Sequence, residues 1–266
     1  MNKLILSLII GLFSFTSHAG PITLNLQQAY DALTPELLEH YEAVIFVNIS
    51  ASGPHKQKAW VFERNRRGQF KLSENIVDKA VWDGSTDQTY SYRITSGRKY
   101  AGDKFSGPTL QGIFNFADSP TAWDPVRGTR TRINRGWGSP GMKDAVYIDL
   151  AYGSNRLSGQ AQHGTPSGNY KVLGTTPDSH GCVRTSQQVS GDFLEWYTSF
   201  EKQPIPSFFS STRTSGSKTY RTGYVRNGDM SYDGAGNIKT HMGYPVLAVW
   251  YSDAGPNSPL TWAFYR

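Results

Sequence analysis

The chain contains a single cysteine, Cys182, which lies in the run Ser179-His180-Gly181-Cys182-Val183-Arg184. A second His-Gly pair, His163-Gly164, lies upstream, and fifteen residues separate His163 from Ser179. A lone thiol close to two histidines indicates a cysteine nucleophile with its base. A small buried hydrophobic residue is the alternative role for such a cysteine. One cysteine cannot form an intrachain disulfide, and a zinc site built on thiolates usually needs at least two of them.

The neighbours of Cys182 predict where the thiol sits. Gly181 removes side-chain bulk, which suits a tight turn and close approach by a substrate. Thr185 and Gln188 have the spacing of a helix capping box. Apolar residues then recur on one helical face, at Val189, Phe193, Trp196, Tyr197 and Phe200. We therefore expect Cys182 on a turn directly before a helix N-terminus, where the helix partial charge and Arg184 favour a thiolate.

The first nineteen residues have the features of a secretion signal. Lys3 supplies a positive charge, residues 4–15 are apolar, and Ser17-His18-Ala19 is a small-x-small cleavage site. The apolar run of about 12 residues is shorter than the roughly 20 needed to span a membrane. No cysteine stands at the cleavage point to carry a lipid. We expect a soluble exported protein without a membrane anchor, whose mature chain starts near Gly20.

The remaining residues predict a β-rich α+β fold with a few packed helices. Glycine, proline and aromatic residues are frequent, at 27 Gly, 14 Pro and 13% aromatic in the full sequence, and no repeat or linker divides the chain. Residues 20–43 are expected to form a short helical N-terminal segment. Strands are predicted at 44–49, 59–62, 70–72, 90–95, 112–116, 145–150 and 245–251, and a helix at 186–200.

Two segments of unusual composition carry weaker indications of function. Residues 201–243 are rich in Ser, Thr, Gly, Tyr and Arg, which suggests functional decoration or a small hairpin subdomain. Within it, Asp229–Gly234 resembles part of a calcium loop, but Thr240 stands where the loop needs Glu, so no metal is expected. The basic run Arg64–Gly68 is interpreted as a solvated hairpin turn rather than a nucleic-acid site.

The pattern H-G-x(n)-S-H-G-C-x-R resembles the L,D-transpeptidases of the bacterial cell wall, the YkuD-type family. Further resemblance lies in Ser96-Gly97, in Thr109–Phe114, and in Tyr147–Leu150 leading to His163. It spans about 44–200 and the strand at 245–251, and implies a mixed β-sheet sandwich as the catalytic domain over 44–251. Residues 252–266 would be a C-terminal tail. Departures from the family pattern are Leu110, Thr185, a long 117–144 loop and the 201–243 insertion.

The resemblance implies a reaction on peptidoglycan stem peptides, and so places the exported protein in the periplasm or cell-wall space. Cys182 would attack the bond between a diamino acid and a terminal D-Ala, and the thioester would then pass to an amine acceptor. His163 would be the base, oriented by the Gly164 carbonyl, with His180 as a rival base or a residue that packs the loop. The amides of Gly181 and Cys182 are the predicted oxyanion donors on the tight turn. The Ser179 hydroxyl is expected to hydrogen-bond within the turn.

Substrate contacts are predicted at Arg184, Tyr147, Arg130 and Arg132. Four arginines fall within the nine residues 127–135, either as solvated surface or as a lid that holds stem-peptide carboxylates. We expect a monomer that needs no cofactor. Its expected partners are stem peptides, and a wall-linked protein is a further candidate.

The same residues leave other reactions open. An L,D-carboxypeptidase or a hydrolase of protein-to-wall links needs the same cysteine and histidine, and a wall-binding protein with a dead site is a third reading. A papain-like protease has its cysteine before its histidine, whereas here His163 comes first.

Overall fold

The computed structural model describes residues 23–78, 91–104, 106–116, 122–124, 128–130, 133–134, 144–148, 151–152, 156–157, 160–208, 211–215, 218–222 and 230–264. The predicted signal segment 1–19 lies outside these ranges, as do Arg132 and most of the 117–144 loop.

Helices are few and short. They are α1 (Leu26–Ala32), α2 (Pro35–Leu38) and α3 (Gln187–Ser199), with 3-10 helices at Ser167–Val172 and Pro259–Phe264. The strands are β1 (Ala43–Asn48), β2 (Lys58–Arg64), β3 (Phe70–Leu72), β4 (Ser91–Arg93), β5 (Gly112–Asn115), β6 (Ala122–Asp124), β7 (Gly128–Arg130), β8 (Ile133–Asn134), β9 (Ala145–Tyr147), β10 (Ala151–Tyr152), β11 (Arg156–Leu157), β12 (Ala161–Gly164), β13 (Val183–Thr185), β14 (Gln203–Pro206), β15 (Ser211–Ser215), β16 (Lys218–Thr222), β17 (Thr240–Gly243) and β18 (Val246–Tyr251). The fold is therefore β-rich, as the sequence predicts.

The larger sheet is built around β1, in the strand order β3-β2-β1-β18-β5, with β4 also paired to β2. Every residue of β1 and β18 is buried, because both strands are apolar runs covered on both faces. They pair in parallel, whereas β2 and β5 run antiparallel to their neighbours, so the sheet is mixed. The predicted hairpin of β2 and β3 is confirmed, with Phe62 opposite Leu72.

The smaller sheet has the order β13-β12-β9-β8 and is also mixed. Strand β12 runs parallel to β13 and antiparallel to β9. One of its faces joins the main core, because Val146 and Val183 are fully buried there with residues of the larger sheet. Side chains alternate across a strand, so the opposite face of the same strands carries a separate set of residues.

Helix α3 confirms the predicted helix and its apolar face. Val189, Phe193 and Tyr197 are fully buried, four residues apart. The N-cap, however, is Ser186, whose hydroxyl accepts the Val189 N–H at 3.2 Å. The predicted capping role of Thr185 is therefore wrong, since Thr185 ends β13 and pairs with β12.

The two ends of the described chain pack on the main core. In the N-terminal segment, which is helical as expected, the Thr34 hydroxyl caps α2 by accepting the Leu37 N–H. At the other end Trp262 is only 2% exposed. Its ring centroid lies 5.1 Å from that of Phe46 and 5.2 Å from that of Phe62. The segment expected as a tail thus contributes a large side chain to the core.

Within 201–243, the described strands form hairpin-like pairs. Strand β14 pairs antiparallel with β17, and β15 with β16. Asp233, in the segment that resembles a calcium loop, instead accepts the backbone N–H groups of Ala235 and Asn237 in a tight turn. Of the two interpretations of this segment, functional decoration or a small hairpin subdomain, these pairings fit the hairpin subdomain.

Candidate active site

The register of the smaller sheet brings Cys182 and His163 to one face. His163 in β12 pairs with Arg184 in β13, and Ala161 pairs with Tyr147 in β9. Extending the β12–β13 register by one residue places Cys182 beside Ala161, two positions from His163. Cys182 indeed packs against the cluster that Ala161 and Tyr147 form with Ala145. Strand spacing and rise put the Cα atoms of Cys182 and His163 about 8 Å apart, within reach of two side chains that share a face.

The imidazole of His163 is held in one tautomer. The side chain is fully buried, and Nδ1 lies 2.7 Å from the carbonyl oxygen of Gly164. A carbonyl only accepts, so Nδ1 carries the hydrogen and Nε2 carries the lone pair. The Gly164 carbonyl therefore has the orienting contact that the sequence predicts for it.

Burial keeps this imidazole neutral. Desolvation lowers the pKa of His163 from 6.5 to about 4; the hydrogen bond to Gly164 opposes this shift and the positive charge of Arg184 adds to it. At neutral pH, Nε2 can therefore accept a proton, which is the property a general base needs.

The turn before β13 is closed by the Ser179 hydroxyl. Ser179 Oγ donates to the Cys182 carbonyl at 2.5 Å and accepts the Gly181 N–H at 3.1 Å. The expected role of Ser179 within the turn is thus observed. Gly181 has φ +142°, a conformation that strongly favours glycine. Because the Gly181 N–H already binds Ser179, the predicted oxyanion role of Gly181 does not fit this structure, and the Cys182 amide is the remaining candidate of that pair.

The position of Cys182 relative to α3 differs from the prediction. Strand β13 lies between them, and the N-cap Ser186 is four residues beyond Cys182. At about 3.3 Å per extended residue, the separation is about 13 Å, beyond the first turn over which a helix dipole acts. The dipole argument for the thiolate is therefore wrong. Pairing with β12 keeps residues 183–185 extended, and Arg184 is the cation that shares the face of Cys182.

His180 is turned towards the segment 98–107. Its ring stacks on Tyr100 at 4.7 Å between centroids, and Nε2 lies 3.1 Å from Asp103 Oδ2. On the other side of the ring, Nδ1 is 3.5 Å from Nη2 of Arg184. With its side chain 57% exposed and its nitrogens engaged in this way, His180 fits the role of packing the loop better than that of base.

The four residues predicted to contact the substrate lie in different parts of the molecule. Arg184 is half-buried and donates from Nη1 to the Asp178 carbonyl at 3.1 Å. Tyr147 is 2% exposed and lines the cluster that packs on Cys182. Arg130 ends β7, with its backbone opposite Ala122, and Arg132 lies outside the described residues. Of these four residues, the described part of the chain places Arg184 and Tyr147 beside the thiol.

Sequence reasoning missed the residues that support the turn. Thr109 Oγ1 accepts the Gly97 N–H at 2.7 Å and donates to the Gly181 carbonyl at 2.8 Å. Gln160 Oε1 accepts the Leu110 N–H at 3.0 Å. The resemblance at Ser96-Gly97 and Thr109–Phe114 indicated that these segments matter, but not that they contact the turn of Cys182.

Comparison with known families agrees with this geometry. A model of the YkuD L,D-transpeptidase catalytic domain matches residues 75–233, which are 159 of the 266 residues and include His163 and Cys182. The chain belongs to this family. The match begins after the first hairpin and extends into the 201–243 segment, so its limits differ from those of the resemblance seen in the sequence. No curated protein matches the chain at a significant level.

Within the described ranges, no helix combines the length and apolar character needed to cross a membrane.

Proposed function

We propose that the chain is a peptidoglycan L,D-transpeptidase that works through a thioester on Cys182. The observation that carries the proposal is the shared sheet face of Cys182 and His163, with the histidine buried, neutral and fixed in one tautomer. Family membership supports the substrate class, since the family acts on stem peptides of the cell wall. The signal features of residues 1–19 support export to the compartment where those peptides lie.

The first half of the reaction forms the thioester. His163 Nε2 takes the thiol proton as sulfur bonds to the carbonyl carbon that joins the diamino acid to D-Ala. The carbonyl oxygen carries the negative charge of the tetrahedral intermediate, and the Cys182 N–H is the proposed donor to it. When the C–N bond breaks, the imidazolium returns its proton to the departing amine.

The second half consumes the thioester. An acceptor amine attacks the same carbon, His163 takes the proton that the amine loses, and the thiolate leaves and recovers that proton. A new amide links two stem peptides and the enzyme is unchanged. If water attacks instead, the product is a trimmed peptide, which is the L,D-carboxypeptidase or hydrolase reaction of the same site.

Mass spectrometry of wall fragments separates these outcomes. Mature protein incubated with purified tetrapeptide fragments should release D-Ala and produce cross-linked dimers. Trimmed fragments without dimers would indicate hydrolysis, and unchanged fragments would contradict both reactions. A Cys182→Ala variant is the control for contaminating enzymes.

Roles within the site are tested by a carbapenem, a strained acyl donor that typically acylates this family. One adduct should form on the peptide that contains Cys182, and an adduct that survives Cys182→Ala would refute the assignment. His163→Ala should lower turnover about 10²–10⁴-fold, the range of general-base catalysis. If a folded His180→Ala is inactive while His163→Ala is active, the two roles must be exchanged.

A further inference from the structure

The turn that carries Cys182 is held by one segment of the chain, residues 95–104 and 106–109. The Ser179 N–H donates to the Ser96 carbonyl at 2.9 Å, and the Ser179 carbonyl accepts the Arg98 N–H at 2.9 Å. The His180 carbonyl accepts the Gly107 N–H at 3.2 Å. Three backbone hydrogen bonds thus tie the turn to this segment, so the position of the thiol depends on the position of the segment.

Contact between the two is closest at Gly97. A Cβ on Gly97 would lie 2.5 Å from the Cα of Gly181, so the two backbones touch with no side chain between them. The hydroxyl of Thr109, a residue that is 3% exposed, joins the same two residues from the side. A displacement of Ser96-Gly97 would therefore move Gly181 and the adjoining Cys182.

Gln57 fixes Ser96 from inside the fold. Its Oε1 accepts the Ser96 N–H at 2.7 Å, and its Nε2 lies 3.0 Å from Ser96 Oγ. The same Nε2 donates to the carbonyls of Ile49 and Ser50, at 2.8 and 2.9 Å. Both ends of the carboxamide are thus engaged, which ties the end of β1 to Ser96.

Gln57 combines a backbone conformation and a degree of burial that are both unfavourable for a polar side chain. It is fully buried, and its φ of +51° lies in the left-handed region that few residues other than glycine adopt. A buried amide is tolerated only when its hydrogen bonds are made. Nothing in the local sequence singles out this residue, and it does not reach the reacting atoms.

We propose that Gln57 is a positioning residue for the nucleophile, acting through Ser96-Gly97 and Thr109 on the turn of Gly181 and Cys182. The proposal rests on the proposed function, because it assumes that Cys182 forms the acyl-enzyme. A small displacement of a reacting group lowers rate more than binding, since the contacts that bind the donor remain while the attack geometry is lost.

The test compares two buried amides that bridge elements of the fold. Gln57→Met keeps approximate length and removes the amide. The matched control is Asn115→Leu, because Asn115 is also buried, accepts from Tyr41 Oη and donates to the Pro206 carbonyl, without touching the turn. Each folded variant is measured for carbapenem acylation, with the saturating rate separated from the half-saturation concentration, and for its melting temperature.

We expect Gln57→Met to lower the saturating acylation rate at least about tenfold, with little change in the half-saturation concentration. The control Asn115→Leu should lose a comparable amount of melting temperature but keep the wild-type acylation rate. Thr109→Val should show the same kind of loss and Thr109→Ser should restore the rate. Combining Gln57→Met with Thr109→Val should add little further loss, because both act on one chain of contacts. A wild-type rate in Gln57→Met, or an equal loss in the control, would overturn the proposal.

Two further arms keep the outcome decisive. If Gln57→Met does not fold, Ser96→Ala takes its place, since it removes only the hydroxyl contact; an unchanged acylation rate would then count against the proposal. Hydrogen exchange of the peptide that spans 179–184 is followed in every variant and needs no turnover. If the wild type is not acylated, the proposed function fails, whereas faster exchange at 179–184 in Gln57→Met but not in Asn115→Leu would still support the positioning role.

Discussion

The burial of His163 makes the stability of the fold depend on pH in a predictable direction. The pKa of His163 falls from 6.5 to about 4 on folding, chiefly because the charged ring is desolvated. Below pH 6.5 the unfolded chain therefore binds a proton that the folded chain does not. The contribution of His163 to the free energy of unfolding is therefore fully present above pH 6.5, and it is lost progressively as the pH falls towards 4.

The size of the effect follows from the shift. A difference of about 2.5 pH units corresponds to about 3 kcal/mol, because each unit is worth about 1.4 kcal/mol. Between about pH 6.5 and pH 5, where most exposed carboxylates stay ionised, wild type should lose about 2 kcal/mol through His163 alone.

Urea unfolding at a series of pH values measures this loss, compared among wild type, His163→Gln and His55→Gln. The His163→Gln variant lacks the titrating ring, so its stability should fall less steeply than that of wild type over this interval. His55→Gln is the control, because His55 lies outside the site and contacts the Pro256 carbonyl. Parallel curves for wild type and His163→Gln would refute the view that the imidazole is buried in its neutral form.

Three further substitutions test the supports of the site and the core. Gly97→Ala should strongly lower both melting temperature and carbapenem acylation, because its Cβ would lie 2.4 Å from the Gly107 carbonyl oxygen; normal values would show that the two backbones do not meet. Ser186→Ala should cost about 1 kcal/mol in urea unfolding, as loss of an N-cap does, and no change would argue against this cap. Trp262→Ala should cost about 3–5 kcal/mol, and a loss below about 1 kcal/mol would mean that the C-terminal segment is not part of the core.

Local sequence patterns were sufficient to predict the elements that bury apolar side chains in the core. The apolar run at 44–49 predicts β1, and the four-residue spacing of Val189, Phe193 and Tyr197 predicts the inner face of α3. The Cys and His motifs indicate the two residues that the structure brings to one face. The first two patterns each lie within a short run of neighbouring residues, and the Cys and His motifs together lie within residues 163–184.

What the sequence did not predict depends on pairing between distant segments. Thr185 and Ser186 can both cap a helix, and only the pairing of Thr185 with Gly164 decides between them. The same pairing moves Cys182 away from the helix end. Gln57 has no local pattern at all, because its role arises from Ser96, which is 39 residues away in the chain.

The smaller sheet links the packing of the core to the placement of the thiol. Val146 and Val183 occupy the core face, and the alternation of side chains then sends Cys182 and His163 to the other face. A slip of β13 by one residue would exchange the faces, placing Arg184 in the apolar core and Val183 on the face of His163. Since the apolar core is stabilised by a buried valine and destabilised by an unpaired charge, the register that packs the core is also the register that brings Cys182 and His163 to one face. Packing of the core therefore also brings the proposed catalytic pair to one face, and the proposed role of Gln57 and Ser96-Gly97 is to set the fine position of the turn.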